Sequence, residues 1–179
     1  MDSLRIEALR RDDWRKYSGM VAKLVKQLSP NADPVDGHDF FNVVGQDEEN
    51  FTVFIIRHAY GPETTPEGEF IGMATIFFRH LLSGWVGEIH DVVVDEKYYR
   101  QGYGRKLTAK IFEYTKMRAE KLGKPIKLSL TSKPAREAAN AMYVAEGFQL
   151  AAQAVTHHDP CSGAKIVSGT NLYTKTIDP

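Results

Sequence analysis

The chain has 179 residues, a hydrophobic share of 42%, and 23 acidic against 23 basic residues, which leaves a formal net charge of zero. Those values describe one soluble globular domain over residues 1–179. They do not indicate a globally basic nucleic-acid surface, and no apolar run reaches the roughly 18–20 residues of a membrane span.

The N-terminus, Met1-Asp2-Ser3-Leu4-Arg5, lacks the apolar core of a secretory signal. Cys161, the one cysteine, has no intrachain partner, so a reducing cytoplasm is expected. Residues 4–9 read as a first strand. Trp14, Tyr17, Val21, Leu24 and Leu28 recur at helical spacing behind Asp12 and Asp13, which offer caps. Ser29-Pro30-Asn31 stops that helix, and 34–44 reads as a shorter one. Residues 51–60, rich in β-branched and aromatic side chains, read as a strand. A loop at 61–68 leads to strands 69–81 and 86–95, giving an antiparallel run.

The period then changes. Leu107, Ile111, Tyr114 and Thr115 start a helix that ends at Gly123, ahead of Pro125. A short strand covers 126–131. Ser132 is a candidate cap for a second helix, with Pro134 in its first turn, running to Gly147. Strands at 148–155 and 171–177 follow, joined by a polar loop. Strand 86–95, helix 103–122 and strand 126–131 form a βαβ unit, so these two strands are expected to be parallel.

Between strand and helix lies Gly102-Tyr103-Gly104. Such a junction aims backbone N–H groups and the positive end of a helix at one spot, a seat for phosphate. A dinucleotide fingerprint needs a further glycine where Leu107 stands. A phosphate-binding loop of the Walker type needs Gly-Lys-Ser/Thr, and Gly104-Arg105-Lys106 does not supply it. A coenzyme A pyrophosphate loop remains. Residues 97–112 carry Lys97, Arg100, Arg105, Lys106 and Lys110 and no acid, within a chain of zero net charge.

Asp91–Leu107, with Leu130-Thr131-Ser132, Asn140-Ala141-Met142-Tyr143 and Gly147-Phe148 downstream, resembles the GNAT superfamily of acetyl-CoA-dependent N-acetyltransferases. The core of the match spans about 86–150, and the upstream strand order extends it over most of the chain. The family loop, Gln/Arg-x-x-Gly-x-Gly/Ala, falls on Tyr99–Gly104; Tyr99 departs from it, with Arg100 one step later. The resemblance implies an α/β GNAT fold, a mixed and mostly antiparallel sheet flanked by helices, with acetyl-CoA in the splay between strands four and five. Val92, Val93 and Val94 are the matching segment for the pantetheine arm. Arg100, Gln101, Gly102, Tyr103, Gly104, Arg105 and Lys106 match the pyrophosphate loop. Tyr143 stands at the family's general-acid position, and Asn140, one turn earlier, is a candidate cofactor contact.

Direct transfer to an amine sets three demands. The ammonium must lose a proton, the thioester carbonyl must be polarised, and the leaving thiolate must be protonated. Glu88 and His90, two apart on a strand, share a face, with Asp91 expected on the other; either of the first two is a candidate base. The implied acceptor is a primary amine of a small molecule, such as an amine, polyamine or amino sugar, bound between 31–46, 82–88 and 156–170. Asp33, Asp36 and Asp39 give that rim an acidic cast. Asp91-Val92-Val93-Val94 is also similar to glucosamine-phosphate acetyltransferases. Acetylation of protein lysines or N-termini, and a non-catalytic acyl-CoA-binding module, are the alternatives. No nucleic acid or membrane partner is implied, and a homodimer is left open. His157-His158-Asp159-Pro160-Cys161 lacks a second ligand pair at finger spacing and reads as a turn, so no metal is assigned.

Overall fold

The computed structural model describes residues 4–35, 38, 44, 47, 49–58, 69–158 and 165–179. Strands β1 (Leu4–Ala8), β2 (Phe51–His58), β3 (Glu69–Leu81) and β4 (Gly84–Val94) pair in sequence order as an antiparallel meander. Helix α1 (Trp14–Leu28) lies between the first two in sequence, and helix α2 (Tyr103–Leu122) follows the fourth. Strand β5 (Ile126–Ser132) then returns parallel to β4, which completes the βαβ unit. Helix α3 (Glu137–Ala145), strand β6 (Gln149–Ala152) and strand β9 (Asn171–Ile177) finish a seven-stranded mixed sheet of order β1-β2-β3-β4-β5-β9-β6.

The sheet is covered on both faces, and its central strands are accordingly apolar on both sides. In β2, Phe54 and Ile56 face one core while Val53 and Ile55 face the other. On the first side α2 packs Leu107, Ile111 and Ala119, and α3 adds Tyr143. On the second side α1 packs Tyr17, Val21 and Leu24 against Ile55, Met73 and Val93. Leu24 is 1% exposed; truncating such a side chain to alanine costs about 2–5 kcal/mol. Gly123, at φ +61°, ends α2 in the left-handed conformation that glycine tolerates, and its N–H returns to the Glu120 carbonyl.

Four local readings change. Asp13 stands at the N-terminus of α1 without capping it, because its carboxylate accepts from the Arg10 N–H at 2.9 Å. Ser132 is the last residue of β5; α3 begins at Glu137, after a turn closed by the Arg136 N–H on the Lys133 carbonyl. Strand 148–155 is shorter, covering Gln149–Ala152. The connection 156–170 is not all loop, since β7 (Val155–His158) and β8 (Lys165–Ser168) pair antiparallel as a separate hairpin. The helix expected at 34–44 and the loop at 61–68 lie largely or wholly outside the described residues, as do Asp36, Asp39 and Cys161.

Candidate active site

Strands β4 and β5 pair from Trp85 opposite Ile126 to Ile89 opposite Leu130, and no further. Beyond that point β5 stays with β9 as far as Ser132 opposite Asn171. From His90 onward β4 therefore has no strand on that side among the described residues, and the backbone of the Val92–Val94 segment borders an open seam.

A bulge accompanies the parting. On β3, Thr75 is opposite His90 but Met73 is opposite Val93, so Asp91 and Val92 together face Ala74. Asp91 takes φ +49°, a left-handed conformation in the middle of a strand. The extra residue flips the alternation. Ile89 and Val92, three apart, both pack toward α2, whereas Val93 packs toward α1. It also corrects the expected position of Asp91. Thr75 Oγ1 donates to the Asp91 carboxylate at 3.1 Å, and Thr75 is the cross-strand partner of His90. Asp91 thus shares the face of Glu88 and His90 rather than opposing it. On that face Glu88 is paired with Arg79, and its other oxygen lies 3.6 Å from His90 Nε2.

The strand runs straight into the glycine loop. Asp95, 3% exposed, caps the turn Glu96–Tyr98 by accepting from the Lys97 N–H at 3.1 Å, and it meets Lys23 Nζ of α1 at 2.5 Å. Burial acts most strongly on the Asp95 carboxyl and favours its neutral form. The Lys23 ammonium and the Lys97 amide together outweigh it and hold the pKa below its ordinary value. Arg100 (φ +63°) and Gly102 (φ +79°) then turn the chain so that α2 opens at Tyr103. The first amides of a helix have no acceptor within it, and Gly102, Tyr103, Gly104 and Arg105 line the same cleft as Val92–Val94. A Cβ on Gly104 would stand 3.3 Å from Met142 Sδ and 3.9 Å from Val94, so glycine keeps this junction narrow.

One cleft of about 750 Å³ gathers these parts. Of the residues expected from sequence, Val92, Val93, Val94, Arg100, Gly102, Tyr103, Gly104, Arg105 and Tyr143 line it; Gln101, Lys106, Asn140, Glu88 and His90 do not. Arg105 is already held by Glu146 at 2.8 Å, and Lys106 Nζ lies 5.4 Å from the Tyr103 ring centre. Asn140 donates to the carbonyls of Lys133 and Pro134 at 3.1 and 3.3 Å, which fixes the turn into α3. Tyr143 is 5% exposed, edge-on to Phe148, and burial pushes its phenol up to about 12. A phenol so placed stays protonated through neutral pH and is suited to giving a proton.

The cleft also has walls that sequence reading missed. Tyr98, Gln27 and Leu28 line it, with Arg136 and Met142 from around α3. Burial, then the Glu69 carboxylate, raise the Tyr98 phenol above its ordinary value. The Arg136 guanidinium donates to the Leu28 carbonyl at 2.8 Å and so ties the end of α1 to the start of α3. The aromatic pair before Gly102 was a visible signal for Tyr98. Nothing local marks the α1 residues, which long-range packing alone brings here.

An open backbone seam, a helix N-terminus and a side-chain-free Gly104 suit an acetyl thioester on a pantetheine diphosphate. The acetyltransferase (GNAT) family model matches residues 8–148, and the chain belongs to that family. It is an acetyltransferase with acetyl-CoA as donor. Among solved structures, Arabidopsis thaliana NAA60 in complex with acetyl-CoA superposes with TM-score 0.69 at 15% identity, covering 97% of this chain and 98% of that one. The Vibrio cholerae spermidine N-acetyltransferase in complex with CoA and spermine gives 0.63 at 14%, covering 98% and 95%. An aminoglycoside acetyltransferase from an uncultured soil metagenomic sample, in complex with sisomicin, gives 0.65 at 18%, covering 89% and 97%. At these identities the likeness is one of fold. No curated protein sequence matches the chain.

Proposed function

We propose that the protein acetylates a primary amine of a small cationic molecule by direct attack on acetyl-CoA in a ternary complex. The observation that carries this reading is the group Glu88, His90 and Asp91 on one face of β4, at the point where the strand leaves β5. An ammonium arriving there meets two carboxylates and an imidazole able to take its proton. The freed amine forms the N–C bond to the thioester carbon. Backbone N–H groups of Val92–Val94 stabilise the developing oxyanion. As the C–S bond breaks, the Tyr143 hydroxyl gives its proton to the leaving thiolate. Arg100, Gly102, Tyr103 and Gly104 hold the diphosphate at the start of α2. The acidic group fits cationic acceptors of the kind for which two of the similar structures are named, a spermidine and an aminoglycoside acetyltransferase.

Thiol release from acetyl-CoA, measured across diamines, polyamines, amino sugars and peptides with free N-termini or lysines, tests the reading. Turnover is expected with the small amines. Turnover confined to peptides would transfer the reaction to proteins, and binding of acetyl-CoA with no turnover of any amine would make the protein a sensor.

A further inference from the structure

Burial raises the Tyr143 phenol to about 12, whereas a thiol titrates near about 8.5. On those values, passing a proton from the phenol to a departing thiolate runs uphill by a factor of roughly 3,000. It also leaves a phenolate against the core in which Tyr143 packs. A positive charge close to both atoms offsets that cost. Arg136 is placed to supply one. It stands at the N-terminal end of α3, about two helical turns before Tyr143, so the two share a helix face with the small Ala139 between them. All three line the donor cleft. The Arg136 charge acts on the Tyr143 phenol and opposes the larger effect of burial. Its guanidinium is steadied from outside α3 by the Leu28 carbonyl at 2.8 Å, a bond that uses one of its several N–H donors. The other guanidiniums on the lining have different surroundings: Arg105 is held by Glu146 at 2.8 Å, and Arg100 belongs to the glycine loop. Glu137, the acid on the lining among the described residues, is exposed.

We infer that Arg136 is the counter-charge for thiol release, its guanidinium stabilising the coenzyme A sulfur as the C–S bond breaks. The electron pair of that bond goes to sulfur, and the proton moves from the Tyr143 hydroxyl to sulfur. Tyr143 is left as a phenolate, which the same cation stabilises until water returns the proton. Arg136 itself exchanges no proton, because a guanidinium stays charged throughout the working pH range. A cation beside apolar Val92–Val94 and Ala139 acts more strongly on sulfur than it would in water.

This inference rests on the reading that acetyl-CoA occupies this cleft with its sulfur at Tyr143. The test needs no acceptor amine. Coenzyme A, whose thiol ionises, and acetyl-CoA, whose sulfur does not, are bound calorimetrically to the full chain between about pH 7 and about pH 10, on either side of the ordinary thiol value. A cation at the sulfur lowers the bound thiol pKa, so coenzyme A affinity relative to acetyl-CoA rises with pH. The expected rise is about five- to tenfold in the wild type, for a lowering of about one pKa unit. It should be largely lost in Arg136→Gln, which removes the charge but keeps an N–H for the Leu28 carbonyl, and largely kept in Arg136→Lys. Acetyl-CoA affinity should change by less than about threefold in either variant. A flat ratio in the wild type overturns the inference, as does a rise that survives in Arg136→Gln. Loss of affinity for both ligands alike at every pH, with the rise intact, would make Arg136 a strap or a phosphate contact instead. Arg136→Met is read in the same way should the glutamine variant fail to fold. Wild-type protein that binds neither ligand would overturn the cleft assignment itself, a result distinct from any effect of the variants.

Discussion

Thr75 Oγ1 reaches the Asp91 carboxylate at 3.1 Å, although the residue opposite Thr75 on β4 is His90. A hydrogen bond offset by one position is possible only because the bulge turns Asp91 to the face of its predecessor. The arrangement holds a non-glycine residue at φ +49°, a conformation worth about 1–2 kcal/mol of strain. Replacing Asp91 with glycine is therefore expected to leave stability equal or raise it by up to about 1 kcal/mol in urea unfolding, even with the Thr75 bond lost. The same substitution is expected to lower kcat/KM for the amine by about tenfold or more. Full activity in a stabilised Asp91→Gly variant would remove Asp91 from the reacting group.

Tyr143 makes a prediction about alkaline pH. Its folded-state pKa is raised to about 12 from 10.0. A raised phenol contributes stability that is complete below the unfolded pKa and lost as pH climbs to the folded value. Unfolding free energy should accordingly fall between pH 10 and pH 12 by about 2–3 kcal/mol from this residue, and that part of the decline should vanish in Tyr143→Phe. In turnover, Tyr143→Phe should cost about 100-fold in kcat, with no alkaline limb below pH 10 traceable to Tyr143 in the wild type.

The pair of Lys23 and Asp95 predicts the opposite pH dependence. The Asp95 pKa is lowered in the folded protein, so the stabilisation is present above its ordinary value of 3.8 and disappears as pH falls through the folded one. Lys23→Met should lower the urea midpoint at pH 7 and leave it almost unchanged near pH 2. Equal effects at both pH values would show that the charge of the pair contributes nothing to stability.

At Gly104 the space, rather than the torsion, is limiting. A methyl group would press on Met142 Sδ at 3.3 Å, and a thioether can shift. Gly104→Ala should therefore fold with a loss of about 1 kcal/mol or less, while acetyl-CoA affinity drops by about tenfold as Met142 is driven toward the seam. Gly104→Val, with two further carbons, should lose both binding and stability. Calorimetry and thermal unfolding on the same samples separate the two effects.

Sequence reading recovered what periodicity and backbone chemistry encode locally. Leu107 and Ile111 mark the buried face of α2, and Gly123 marks its end. The glycine loop stands out through charge and the spacing of Gly102 and Gly104, and both glycines line the cleft. The start of α3 was misplaced because Ser132 has the chemistry of a cap, yet four more residues are needed to turn out of β5. The bulge was illegible for a different reason. Val92-Val93-Val94 is uniformly apolar, so it has no alternation whose break could be seen; the slip exists only relative to β3. The contributions of Gln27, Leu28 and Arg136 depend on two helices meeting across the sheet, which no window of sequence contains.

The parting of β4 from β5 after Ile89 and Leu130 bears on how long the protein lasts as well as on what it does. A seam of unpaired backbone inside a sheet is a weak line along which local opening begins, and it is also an edge to which foreign strands can add. A donor lying in that seam closes it, and at a concentration 100 times its dissociation constant such a ligand adds about 2.7 kcal/mol to the folded state. Resistance to proteolysis should then rise and fall with the supply of acetyl-CoA, so that the amount of enzyme surviving in a cell is itself coupled to the abundance of its fuel.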